Sequence, residues 1–83
     1  MTVLEILRKI DESIEEERKI RNNLTKLRDY YIKDRQLDKA IEQEDEIKVY
    51  NHSIANSILL KSEIERSLDE EASRAYEEMS AND

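Results

Sequence analysis

Apolar residues recur along most of this chain in steps of three and four. The first run is Val3, Ile6, Leu7, Ile10 and Ile14, then Ile20, Leu24, Leu27 and Tyr31. Such steps place one apolar stripe along a helix. The stripe lapses between Ile14 and Ile20, where Glu17 stands at the expected core position and Ser13 one turn earlier. A second run follows: Leu37, Ala40, Ile41, Ile47, Tyr50, Ile54, Ile58, Ile64, Leu68, Ala72, Ala75 and Met79. It also lapses, at Asn51, His52, Ser53, Asn56 and Ser57. The pattern predicts helix 1 over about 3–33, a turn at about 34–36 and helix 2 over about 37–79. Thr2-Val3-Leu4-Glu5 has the form of a capping box, with Thr2 Oγ1 accepting from the Glu5 amide and the Glu5 carboxylate reaching back to Thr2. Asp34 is the expected N-cap of helix 2. Asn and Ser bond readily to nearby backbone, so a break near Asn51–Ser53, giving a three-helix bundle, is the alternative.

The fold class is therefore all-α: a long antiparallel hairpin in one domain spanning 1–83. Folding back near residue 35 pairs residues whose numbers add to about 70. Leu24 then meets Ile47, Ile20 meets Tyr50, Ile10 meets Leu59 and Leu60, Ile6 meets Ile64, and Val3 meets Leu68. The two lapses coincide as one polar layer of Ser13, Glu17, His52, Ser53 and Ser57. Acids Glu42 to Glu46 come down beside Lys26 and Arg28. Residues beyond about 69 have no opposite number and either protrude or fray.

Leu37-Asp38-Lys39-Ala40-Ile41 resembles the opening of the second helix of a tetratricopeptide repeat. The likeness covers five residues and implies a local helix-turn-helix, with no function attached. Nothing recurs at the ~34-residue period of such arrays.

Composition sharpens this reading. Of 83 residues, none is Gly, Pro or Cys, and 42% are charged. The usual turn residues are missing, which disfavours β-rich folds. Without Cys there is no disulfide and no mark of an oxidising compartment. The N-terminal residues lack an apolar leader, and the longest uncharged run is far below the ~20 residues of a membrane span. The expected location is the cytoplasm, away from membranes.

Two long helices alone enclose little core. Leu4, Leu7, Ile14, Tyr30, Ile32, Val49, Ile58 and Leu59 widen the stripes beyond one seam, so the expected assembly is a homodimer, two hairpins forming a four-helix bundle.

Chemistry-bearing residues are few. His52 is the only histidine; with Glu17 it reads as a register-setting polar layer rather than a proton-transfer pair. The residue three before His52 is Val49, so the Glu-x-x-His pattern of bundle di-iron sites is missing, and zinc lacks ligands. No enzyme, cofactor or metal is expected. Lys19, Lys26 and Lys33 form one stripe at seven-residue spacing, and Arg21, Arg28 and Arg35 another. They serve as salt-bridge partners or, less favoured, as phosphate contacts. Tyr30, Leu59, Leu60, Tyr76 and Met79 are the candidate partner contacts. The expected function is protein–protein interaction, as an adaptor, regulator or inhibitor. Two other classes stay open: a phage-type acidic inhibitor that blocks a nucleic-acid site on a host or defence protein, and a nucleic-acid binder using the basic stripe.

Overall fold

A computed structural model describes residues 2–81. It is a helical hairpin, α1 (Val3–Lys33) followed by α2 (Leu37–Ala81), with overall extents of 72 × 18 × 15 Å. Thr2 begins α1 as the sequence suggests, its Oγ1 accepting from the Glu5 amide at 3.2 Å. α2 runs without a break through Asn51–Ser53, so the three-helix alternative is not adopted. The side chains that would compete for the backbone there are engaged across the hairpin instead. Asn51 Oδ1 accepts from Arg21, and Ser53 Oγ donates to Glu17.

The turn closes in the Schellman pattern. The Gln36 amide donates to the Tyr31 carbonyl at 2.8 Å, and the Arg35 amide to the Ile32 carbonyl at 3.1 Å. That pattern needs a left-handed residue just past the helix, normally Gly. Here Arg35 takes it, with φ 58°. A Cβ in this region costs about 1–2 kcal/mol, so the turn is made at some expense of stability. Asp34 is the C-cap of α1, not the N-cap of α2. Gln36 stands before α2 instead, its carbonyl accepting from the Ala40 amide and its side chain bonded to Asp34.

Between the arms runs a seam with steps of three and four in strict alternation. On α1 it comprises Val3, Leu7, Ile10, Ile14, Glu17, Arg21, Leu24, Arg28 and Tyr31. On α2 it comprises Ala40, Gln43, Ile47, Tyr50, Ile54, Ser57, Lys61, Ile64 and Leu68. All are buried or half-buried except Val3, at the open end. A period of 3.5 residues is the heptad pattern of a left-handed coiled coil. Cross-hairpin bonds give the register: partner numbers add to 70 for Glu17–Ser53 and to 72 for Asp11–Lys61, Arg21–Asn51 and Arg28–Glu44.

This seam differs in detail from the one expected. Ile20 and Leu27 sit beside it, with Arg21 and Arg28 within it. Lys61, rather than Leu59 or Leu60, lies opposite Ile10 and Asp11, and both leucines are exposed. Arg and Lys can occupy such positions because their methylene stems cover apolar surface while the charged heads reach out. Residues 69–80 are helical and exposed throughout. They have no α1 residue opposite and project beyond it.

Candidate interaction surface

A two-helix seam buries little. Among the described residues only Ile14, Ala40, Ile47 and Ile54 are fully buried, and fifteen large apolar side chains remain exposed. The heptad positions sort most of these onto two flanks of the hairpin.

One flank carries the ion pairs. Arg28 Nη1 donates to Glu44 Oε2 at 2.6 Å while Nε and Nη2 reach Asp29. Lys61 Nζ lies 2.8 Å from Asp11 and 3.7 Å from Glu65. Arg21 Nη1 donates to Asn51 Oδ1 at 3.2 Å, and Arg18 pairs with Glu15. Hydrogen bonding to Glu44, then to Asp29, raises the Arg28 pKa above its ordinary value; hydrogen bonding to Asp11 does the same for Lys61. Apolar residues on this flank are interrupted: Ile32, Leu37 and Ile41 cluster by the turn, with Ile58 and Leu4 apart from them.

The other flank carries Ile6, Leu60, Ile20, Val49, Leu27 and Tyr30, spread from the open end to the turn. Among the described residues no ion pair joins the helices on this side. Its polar links are few. Ser53 Oγ donates to Glu17 Oε1 at 2.9 Å, and Lys39 Nζ sits 5.6 Å from the centroid of the Tyr31 ring. Tyr30 packs edge-on to Tyr31, centroids 5.7 Å apart. At the open end Val3, Leu60, Ile64 and Leu68 line a shallow hollow.

The expected polar layer is only partly assembled. Glu17 and Ser53 meet, and Ser57 is half-buried nearby on the seam. Ser13 and His52 are exposed. In the heptad register His52 falls on the outer face of α2, away from Glu17, because the seam takes Tyr50 and Ile54 on either side of it. Glu17 Oε2 is buried with no hydrogen-bond partner. The basic stripes also divide. Arg21 and Arg28 point along the hairpin into bonds, whereas Lys19, Lys26, Lys33 and Arg35 are exposed. Tyr30, Leu59, Leu60, Tyr76 and Met79 are all exposed: Tyr30 and Leu60 on the apolar flank, Leu59 on the outside of α2, Tyr76 and Met79 on the projecting end. Sequence reasoning placed Val49 outside the seam but put Ile6 and Ile20 within it, and both are exposed. The seven-residue recurrence of Leu7, Ile14, Arg21 and Arg28, interleaved with Ile10, Glu17, Leu24 and Tyr31, is the signal that would have placed them.

No group of His, Cys, Asp or Glu among the described residues is arranged to hold a metal ion, and no described helix is long and apolar enough to cross a membrane. Comparison with known proteins returned no match to any family model, curated protein or solved structure.

Proposed function

We propose that this protein is a non-enzymatic protein–protein interaction module that self-associates through its apolar surface and acts as an adaptor, regulator or inhibitor. The observation that carries this reading is the imbalance of burial: among the described residues, four enclosed apolar side chains against fifteen large ones exposed. Fully burying one such side chain is worth about 1.5–3 kcal/mol, and folded domains have only about 5–15 kcal/mol in total. A hairpin of this kind gains a substantial part of its stability from whatever covers it. Sedimentation equilibrium from 1 to about 200 μM tests self-association. The expected result is a mass above the monomer and a melting temperature that rises with concentration. A monomer of unchanged melting temperature across that range removes the reading.

The acidic-inhibitor reading draws support from the projecting end of α2, where Tyr76 and Met79 are exposed among acids. It predicts binding to a basic protein that weakens steeply with salt. The nucleic-acid reading keeps only part of its footing, since Arg21 and Arg28 are taken up by Asn51 and Glu44.

A further inference from the structure

The two flanks differ in what could cover them, and the charge along the hairpin says in which direction. We infer that the flank carrying Ile6, Ile20, Leu27, Tyr30, Val49 and Leu60 docks on the same flank of a second copy, running head to tail, so that the turn of each hairpin lies over the open end of the other. This rests on the self-association proposed above and adds the face and the direction.

Four observations support it. First, apolar side chains run from one end of this flank to the other, with Glu16, Glu46, Ser53 and Glu63 between them, and among the described residues no ion pair joins the helices across it, so covering it breaks none. Covering the opposite flank would desolvate the pairs Arg28–Glu44 and Lys61–Asp11, which costs free energy. Second, its size fits. The paired region is 31 residues of α1, about 46 Å at 1.5 Å per residue, and the hairpin is 18 Å wide. That footprint is about 800 Å² per copy, the area a standard stable interface needs.

Third, charge is divided along the long axis. Residues 18–54, the half with the turn, hold nine Lys and Arg against seven Asp and Glu, a net of +2. Residues 2–17 and 55–81, the open half, hold five against thirteen, a net of −8. Side-by-side docking with both turns at one end would set −8 against −8. Head-to-tail docking sets −8 against +2 twice. Fourth, a two-fold axis near the Glu17–Ser53 layer brings apolar residues together. With the axis at about residue 18 of α1, facing residues have numbers adding to about 36 on α1 and about 108 on α2, given antiparallel helices of equal rise. Ile6 then lies over Tyr30 of the second copy, Leu60 over its Val49 and Lys39 over its Glu70, while Ile20 and Leu27 fall opposite the side-chain stems of its Glu16 and Lys9.

The test combines oligomer mass, matched substitutions and one distance. The chain has no Cys, so Lys33→Cys on the exposed end of α1 gives a single spin-labelling site. Pulsed electron paramagnetic resonance on the labelled full chain should give a distance of about 45–50 Å, from 15 residues on each side of the axis at 1.5 Å each. Docking with both turns together would give about 25 Å instead, from helices packed 8–10 Å apart. Ile20→Asp and Ile58→Asp form a matched pair, the two side chains being 42% and 41% exposed on opposite flanks. Ile20→Asp should weaken the dimer about 100-fold or more, with two charges introduced per interface, while Ile58→Asp leaves it within about threefold. Val49→Asp, at a residue 67% exposed and outside the seam, should act like Ile20→Asp and keeps the test valid if Ile20→Asp loses helicity by circular dichroism. A wild-type monomer overturns both this inference and the self-association beneath it. A dimer with the short distance overturns the direction alone. A dimer dissolved by Ile58→Asp and untouched by Val49→Asp overturns the face.

Discussion

The two flanks of this hairpin are built from the same pair of helices yet solve the problem of a thin core differently. One ties the arms together with Arg21–Asn51, Arg28–Glu44 and Lys61–Asp11. The other leaves Ile6, Ile20, Leu27 and Leu60 beside the seam, where among the described residues the side-chain links between the helices are the Ser53–Glu17 hydrogen bond and Lys39 over the Tyr31 ring. Exposed ion pairs add little stability, typically ~0–1 kcal/mol each, but they set register and tolerate water. Apolar side chains set no register alone and gain only when covered. The first flank pairs its polar groups within the single chain and still exposes Leu4, Ile32, Leu37, Ile41 and Ile58; the second exposes apolar side chains with few polar links beside them.

Both flanks are held in place by the seam, so the largest expected effect lies there. Ile54→Ala removes one of the four enclosed side chains and should cost about 2–4 kcal/mol, within the range for buried Ile→Ala. Urea unfolding followed by circular dichroism reads this directly, and a loss below 1 kcal/mol would mean that the seam carries less of the fold than its burial indicates.

Next comes the polar bridge on the apolar flank. Glu17→Ile replaces a carboxylate whose Oε2 is buried and unbonded with a seam residue of the type its neighbours use. It should raise stability by about 1 kcal/mol, since a partly satisfied buried charge often stabilises less than an apolar residue of similar size. A lower melting temperature would show that Glu17–Ser53 holds the register. Comparable in size is the turn: Arg35→Gly relieves a left-handed non-glycine residue and should add about 1 kcal/mol. A decrease would place the cost elsewhere in the loop.

The smallest effect belongs to the ion-paired flank. The Lys61 pKa is raised above 10.5 by Asp11, so the folded chain holds that proton more tightly than the unfolded one. The stabilisation from Lys61 is complete below pH 10.5 and is lost as the pH rises through the folded value. Asp11→Asn should therefore remove part of the decline in melting temperature between pH 10 and 12. Identical profiles for the two proteins would show that the pair contributes nothing.

How much of this was legible beforehand differs by level. The apolar period and the absence of Gly and Pro indicate two helices, and a fold-back at 34–36 matches the apolar layer Leu24–Ile47, both in the seam, whereas Ile6, matched to Ile64, lies beside the seam with Leu7 in its place. The seam itself was harder to read. α1 carries two interleaved apolar sets, one with Leu7 and Ile14 and one with Ile6, Ile20 and Leu27, and periodicity does not say which of them turns inward. His52 was drawn into the polar layer by residue numbering alone, which is too coarse by the one residue that separates Ser53, facing Glu17, from the outer face.

The amino-acid sequence by itself determined the two helices, the capped start of α1 and the antiparallel fold-back, because local periodicity and capping act within a few residues. Only the tertiary structure decided which side chains occupy the seam. That choice depends on the partner helix: a 3.5-residue path is favoured over a 3.6-residue one only when two helices must stay in contact along their length. The same contact brings Arg21, Arg28 and Lys61 inward, and leaves one apolar flank uncovered.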